Sequence, residues 1–202
     1  MKSLILKSTA IIVVLATTAC SSVSQKEFGS VYGFEQRQFD GLNVDQYSKA
    51  EQKAVSRAHL NATPKVVFEK MADHKNINQW IPMIDHEVQV DHSHATVPGE
   101  NGVGTIRICE FGGDTLTEEI RYFNSGHSYA YSVLENEDTP ATDHLGVITI
   151  EDDGKGGSLV SWRQYFTAKP WSIKARVMPT VMGMVMDEAL ENLAQQYGGE
   201  VM

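Results

Sequence analysis

The stretch that decides the fold is the last long patterned segment, Trp171 to Tyr197, which reads WSIKARVMPTVMGMVMDEALENLAQQY. Its apolar residues recur at steps of three and four, the spacing of one helical face. A helix of this length spans about 40 Å, and Gly198-Gly199 follows as a stop signal. The residues of the apolar face are Ile173, Val177, Val181, Met184 or Val185, Ala189, Leu190, Leu193 and Tyr197.

The chain before this helix predicts a set of short strands. Alternating segments bounded by glycine-containing turns indicate antiparallel pairing. Thr63 as N-cap and Pro64 at the first helical position predict a helical stretch after the first strand, ending near Trp80-Ile81-Pro82. The predicted strands are 53–60, a short one around Val88–Val90, then 103–111, 114–123, 127–134, 145–151 and 158–166.

Several spaced motifs give this order of elements a family resemblance. They are Leu60-x-Ala62-x-Pro64, Trp80-x-Pro82, Gly102-x-Gly104-x-x-Arg107, Glu118 before Ile120, and Leu159-x-x-Trp162. With these motifs the chain resembles the SRPBCC superfamily of START, pollen-allergen-like and polyketide cyclase proteins, and is most similar to the polyketide cyclase/dehydrase branch. The resemblance implies an α+β helix-grip fold. In it, a curved antiparallel sheet wraps around the long C-terminal helix, two short helices follow the first strand, and a pocket lies between sheet and helix.

Strand alternation predicts which side chains face that pocket. Val160, Trp162, Gln164 and Phe166 share the less polar face of the last strand, and Leu116, Glu118, Ile120 and Tyr122 share that of the 114–123 strand. On the long helix we place Met178, Val181, Met182, Val185 and Met186 towards the sheet. The predicted ligand-binding residues are Trp80, Ile120, Tyr129, Tyr131, Trp162, Met178, Met182 and Met186.

Glu118 is the polar side chain that this alternation carries inward. A buried carboxylate is costly unless it is paired or protonated. It is therefore either a structural partner of Arg107 or a tyrosine hydroxyl, or a polar anchor for a ligand. In an enzyme it would be the general acid or base, with Arg107 or Tyr131 polarising a carbonyl group. Cys109 is expected to be a strand residue without chemistry.

The remaining sequence offers little support for a metal or a cofactor. His92 and His94 share one side of a strand, a chelating spacing, but no third ligand is evident. We predict no metal site and no cofactor. With 17 basic and 26 acidic side chains, the net charge of −9 argues against a nucleic-acid partner.

The N-terminus is typical of an exported protein. Lys2 and Lys7 precede the apolar run 10–16, which is too short to span a bilayer. Ala19-Cys20 resembles the cleavage site of a bacterial lipoprotein signal, with Cys20 lipidated, and Ser21 favours the outer membrane facing the periplasm. The predicted organisation is a signal peptide over 1–20, a tether over 21–50, the helix-grip domain over 51–198 and a tail over 199–202.

Three functional hypotheses follow. We favour a lipid-anchored envelope domain that binds a hydrophobic small molecule or lipid and is not an enzyme. The first alternative is a polyketide cyclase- or dehydratase-like enzyme that uses Glu118. The second is a structural envelope lipoprotein whose cavity is filled by its own side chains.

Overall fold

The computed structural model describes residues 35–111, 113–136 and 139–202. A two-stranded ribbon, β1 (Gln38–Phe39) and β2 (Leu42–Asn43), precedes an antiparallel sheet of eight strands. The spatial order of the sheet is β10-β3-β9-β8-β7-β6-β5-β4. Its strands are β3 (Gln52–Leu60), β4 (Gln89–Asp91), β5 (Ile106–Phe111), β6 (Asp114–Asn124), β7 (Ser128–Val133), β8 (Ala141–Asp152), β9 (Ser158–Ala168) and β10 (Gly199–Val201).

The helices complete the predicted arrangement. α1 (Pro64–Met71) and a 3-10 helix (His74–Gln79) follow β3, and the long helix α2 spans Ile173–Tyr197. The Ser172 hydroxyl accepts a hydrogen bond from the Ala175 amide at the start of α2. The helix-grip fold expected from the sequence is thereby confirmed. No helix in the described part of the chain is both long and apolar enough to cross a membrane.

The main core lies between the sheet, α1 and the C-terminal half of α2. Met186 and Leu190 of α2 pack there with Phe68 of α1 and with sheet residues. Two polar contacts fix the same half of the helix. The Ser56 hydroxyl donates to Asp187 Oδ1 at 2.5 Å, and Asn192 Nδ2 donates to the Trp80 carbonyl at 3.1 Å. Hence α2 is held chiefly by its second half.

The first half of α2 does not pack as predicted. Ile173, Val177 and Val181 belong to the apolar spacing, and Val181 is predicted to lie towards the sheet, yet all three are exposed. Ala175 is the buried residue in the first turn. The apolar spacing is continuous along the helix, but only its second half meets a surface that can cover it, so the prediction for Val181 is wrong.

A second apolar cluster covers the outer face of the sheet. Leu42 and Val44 pack there with Leu145, Val147 and Tyr165. Residues 35–50 therefore fold against the sheet, so the tether predicted over 21–50 is wrong for this part. Residues 21–34 lie outside the described residues. The predicted tail 199–202 is also corrected, because β10 pairs with β3 at the edge of the sheet.

This outer layer also buries side chains that alternation had placed outward. The Arg163 side chain is buried under residues 35–50, where its Nη2 donates to Gln36 Oε1 at 3.0 Å. Its guanidinium lies 4.7 Å from the centre of the Phe39 ring. Burial lowers the pKa of Arg163 to about 10. The polar face of β9 is thus an inner surface of the molecule.

One inward assignment on β6 is reversed by a β-bulge. The register of β6 against β7 shifts between Ile120 and Tyr122. Because a bulge adds one residue, alternation changes face there. Tyr122 packs in the outer cluster and Phe123 against the main core, so the inward placement of Tyr122 is wrong.

Candidate functional site

An ion pair between β5 and β6 forms the centre of the interior site. Arg107 and Glu118 are direct partners in the antiparallel register, so both side chains leave the same face of the sheet. Arg107 Nε lies 2.6 Å from Glu118 Oε2, and both side chains are buried. Cys109, two residues along β5, has its Sγ 3.6 Å from the same oxygen. The sequence predicts either Arg107 or a tyrosine hydroxyl as a structural partner of Glu118, and in the structure the partner is Arg107.

Tyr131 on β7 joins the pair to a second polar chain. The Arg107 guanidinium lies 4.2 Å from the centre of the Tyr131 ring. The Tyr131 hydroxyl oxygen accepts hydrogen bonds from Trp162 Nε1 at 3.0 Å and from Gln164 Nε2 at 2.9 Å. Glu118, Arg107 and Tyr131, the three residues named for an enzyme, are therefore close together.

His144 orients this chain from the start of β8. The Val133 amide donates to His144 Nδ1 at 3.1 Å, so Nδ1 is the acceptor and the proton resides on Nε2. Nε2 then donates to Gln164 Oε1 at 2.8 Å, which directs the Gln164 amide nitrogen to Tyr131. Burial lowers the pKa of His144, in keeping with this neutral tautomer. Sequence reasoning missed His144, because the strand was predicted to begin after it.

Gly146 makes room for the Tyr131 ring. A Cβ built on Gly146 would lie 2.3 Å from Tyr131 Cζ. No side chain can therefore occupy this point of β8 while Tyr131 lies across it. A glycine inside a strand is a sign of such close approach, and this signal was available in the sequence.

Burial and the ion pair set the protonation states of the site. Burial disfavours the charge of Arg107, but Glu118, together with Tyr129, Tyr131 and Cys109, outweighs burial and raises the pKa of Arg107. Burial, helped by Glu118, raises the pKa of the Tyr131 hydroxyl. The same two causes raise the pKa of the Cys109 thiol to about 12. Cys109 is thus a protonated, unreactive thiol at neutral pH.

Arg107, Trp80 and Tyr131 each keep a hydrogen-bond donor that no described acceptor takes. Arg107 Nη1 and Trp80 Nε1 are buried without a partner among the described residues. The Tyr131 oxygen accepts two hydrogen bonds, and no described acceptor takes its own proton. The Trp80 and Trp162 rings are 5.7 Å apart. Trp162 in turn donates to the Tyr131 hydroxyl, and Arg107 lies over the Tyr131 ring. Buried donors without acceptors are rare.

The predicted ligand-binding residues divide into two groups. Met182 is half-buried and packs against the main core, whereas half-buried Met178 lies outside it. The other six are buried together in the main core: Trp80, Ile120, Tyr129, Tyr131, Trp162 and Met186. Their role in binding stays a prediction.

His74 is a second buried polar group that sequence reasoning missed. Both of its ring nitrogens lack a partner among the described residues. Its ring lies edge-on to Tyr129 at 5.4 Å and to Phe123 at 6.4 Å between centroids. Burial, followed by the charge of Arg107, holds the pKa of His74 well below its usual range.

An open cleft of about 600 Å³ lies beside the edge strand β4. None of the predicted ligand-binding residues lines it. His92 does, and its Nε2 lies 2.9 Å from Asn101 Oδ1. Within residues 35–111, 113–136 and 139–202, no three His, Cys, Asp or Glu side chains are grouped so as to hold a metal ion. The lining residues are Lys75, Glu87, Val88, Gln89, Val90, His92, Gly99 and Asn101.

The sequence model of a family described as "Polyketide cyclase / dehydrase and lipid transport" matches residues 51–198. The chain belongs to this family. The match includes the ion pair, the Tyr131 chain and α2. A comparison with curated proteins finds no match.

Solved structures with the same fold come from distant proteins. The protein XoxI of Bacillus cereus is 20% identical, with a TM-score of 0.58 over 71% of this chain and 94% of its own. A START superfamily protein of Mycobacterium smegmatis is 12% identical, with a TM-score of 0.56 over 71% and 95%. A norcoclaurine synthase mutant of Thalictrum, bound to a transition-state analogue, is 15% identical, with a TM-score of 0.50 over 70% and 94%. These similarities establish the fold.

Proposed function

We propose that the helix-grip domain binds a hydrophobic small molecule or lipid that carries an oxygen acceptor. The observation that supports this most directly is the set of unused buried donors on Arg107, Trp80 and Tyr131. An unpaired buried donor costs about 1–3 kcal/mol. A ligand oxygen that accepts from them would recover part of this cost.

The charge balance of the site selects the kind of oxygen. Glu118 already neutralises Arg107 through the 2.6 Å contact, so a second carboxylate on the ligand would be in excess. A carbonyl, ester or hydroxyl oxygen needs no further countercharge and accepts from the same donors. Around it, Ile120, Trp162 and Met186 supply apolar contacts for the body of the ligand.

The substitution Glu118→Gln separates a carrier from an enzyme. In a carrier the change keeps the shape and one acceptor, so ligand affinity should fall by about 1–3 kcal/mol. In an enzyme it removes the proton carrier, so turnover should fall roughly a hundredfold or more with binding nearly kept. We expect the fall in affinity without turnover. The measurement is a titration of each protein with the ligand, in which intrinsic tryptophan fluorescence reports binding.

The same experiment has an outcome that rejects the carrier. If the wild-type protein alters the ligand chemically and the Glu118→Gln protein returns it intact, the cyclase- or dehydratase-like hypothesis replaces ours. The matched control is Glu119→Gln. Glu119 is the next residue along β6, and its side chain leaves the opposite face of the sheet. Its carboxylate pairs with exposed Arg121 at 2.8 Å, and its loss should leave binding unchanged.

We further propose that the protein is exported and anchored to the bacterial envelope, facing the periplasm at the outer membrane, by acyl chains on Cys20. The support is the arrangement of Lys2, Lys7, the apolar run 10–16 and Ala19-Cys20. Attached chains contribute about 0.8 kcal/mol per buried methylene. Cys20→Ser should abolish labelling by a fatty-acid analogue and move the protein to the soluble envelope fraction. Membrane association of Cys20→Ser that persists in high salt would contradict the anchor.

A further inference from the structure

The first half of α2 carries an apolar stripe that stays open to solvent. Successive helical residues turn by about 100°, so Ile173, Val177, Val181 and Met184 fall within about 80° of one another. Ala175 and Met186 point the opposite way, into the protein. The exposed fractions are 79% for Trp171, 79% for Ile173, 52% for Val177, 37% for Val181 and 58% for Met184.

The stretch of sequence that carries this stripe differs in charge from the rest of the chain. From Gly154 to Met186 there is no aspartate or glutamate, although the chain has 26 acidic residues. Exposed Lys174 and Arg176 flank the stripe on its two sides. The Lys174 contact with Asp114 is a surface pair, with both side chains more than two-thirds exposed, and holds Lys174 weakly. Acidic residues on α2 begin only at Asp187.

We propose that this stripe, Trp171 with the first half of α2, lies in the interfacial layer of a bilayer with anionic headgroups. An indole side chain prefers this layer. Aliphatic side chains on one helical face would enter the acyl boundary, and flanking Lys174 and Arg176 would meet the headgroup phosphates. An acidic protein partner would pair with Lys174 and Arg176, but it would not require five exposed apolar side chains on one face of the helix.

The surface is independent of the ligand site and of the acyl anchor. The stripe faces away from the main core, so its loss would leave the Arg107–Glu118 pair in place.

Trp171 is a built-in probe for this contact. The chain has three tryptophans, and Trp80 and Trp162 are only 1% and 4% exposed. The full chain is mixed with vesicles of phosphatidylethanolamine and phosphatidylglycerol whose acyl chains are brominated. Bromine quenches only indoles at bilayer depth. The Trp171 emission is the difference between the fluorescence of the wild-type protein and that of Trp171→Phe. We expect this emission to shift to the blue and to lose most of its intensity on the brominated vesicles.

Charge substitutions in the stripe test whether α2 makes the contact. Ile173→Asp and Val177→Asp should abolish the quenching. Both should fold because the positions are exposed, and in Ile173→Asp the acidic group also lies in the first turn of α2, where it is favourable. Val66→Asp is the matched control, since Val66 is a 43% exposed apolar residue on α1. Quenching should weaken on phosphatidylcholine vesicles and in high salt.

Three results would overturn the proposal. The first is an unquenched Trp171 in chains that sediment with the vesicles, which would place the contact in the N-terminal segment. The second is full quenching in Ile173→Asp. The third is concentration-dependent self-association that Ile173→Asp removes, without vesicle binding, which would make a second copy the occupant. None of these results bears on ligand binding in the interior.

Discussion

Arg107 and Glu118 govern the interior at the scale of single residues. An isolated buried charge would cost several kcal/mol, and each of the two removes that cost for the other. Deleting one partner of such a pair destabilises a protein by about 3–5 kcal/mol. Glu118→Gln also leaves the buried Arg107 charge without its countercharge, so we expect a loss of stability, smaller than on deletion of Glu118 because a neutral hydrogen-bonding group stays in place.

Much of this polar centre could be predicted from the sequence. Alternation on β6 carries Glu118 inward, and the order of strands brings Arg107 opposite. The use of His144 to orient Gln164 could not be predicted, because it depends on a tautomer that the Val133 amide selects. The isolation of His74 depends likewise on what packs around it.

His74 makes a pH-dependent contribution to stability. Its pKa in the folded protein is held well below the usual range by burial and by Arg107, whereas in the unfolded chain it is near 6.5. As pH falls below about 6.5, the unfolded chain takes up a proton that folded His74 refuses. Stability should therefore be full above this pH and fall below it, by up to about 1.4 kcal/mol per pH unit.

Urea unfolding at pH 7, 6 and 5 measures this loss. His74→Phe should flatten the dependence on pH, leaving the share that belongs to buried His144, whose pKa is also lowered by burial. His94→Ala is the control, since His94 is exposed. An unchanged slope in His74→Phe would mean that His74 is not held neutral in the folded protein.

In the secondary-structure elements, the periodicity of apolar residues is sufficient to predict that an element forms, but not which of its residues are buried. The apolar spacing on α2 predicts a helix, and one forms over Ile173–Tyr197. The spacing does not tell which turns find a surface to cover them, so the inward placement of Val181 is wrong. On β6, alternation holds up to Ile120, and the bulge reverses it at Tyr122.

Two glycine-to-alanine changes should act in opposite directions at this scale. Gly146→Ala puts a methyl group where Tyr131 lies, with Cβ 2.3 Å from Cζ. We expect a loss of about 1–3 kcal/mol from the free energy of unfolding, and loss of ligand binding as Tyr131 moves. In α2, no atom lies within 4 Å of a Cβ on Gly183. Gly183→Ala should therefore stabilise the protein by about 1 kcal/mol.

Thermal and urea unfolding of the two variants check this pair. Circular dichroism confirms that both keep the fold. A neutral Gly146→Ala would mean that the Tyr131 ring can move without cost, and the hydrogen-bonded chain from Tyr131 to His144 would then not be a fixed part of the site.

Over the whole molecule, two layers of side chains cover the two faces of the sheet. The inner layer holds the ion pair and the predicted ligand contacts other than Met178, and the family match over residues 51–198 includes it. The outer layer is made by residues 35–50, which precede that match and shield Tyr165 and Leu145. The sequence predicts a tether there, because the apolar residues of this stretch, such as Leu42 and Val44, do not recur with the spacing of a strand or a helix.

Native mass spectrometry of the full protein, purified from its own host without detergent extraction of ligands, tests the central claim most directly. We expect the folded chain to carry one small apolar molecule with a carbonyl, ester or hydroxyl oxygen. Met182→Glu should lose it, because Met182 packs against the main core, and exposed Thr180→Glu on the same helix should keep it. If the wild-type protein carries no such molecule, and takes up none from a total lipid extract of the host, the interior is filled by its own side chains and the binding function is contradicted.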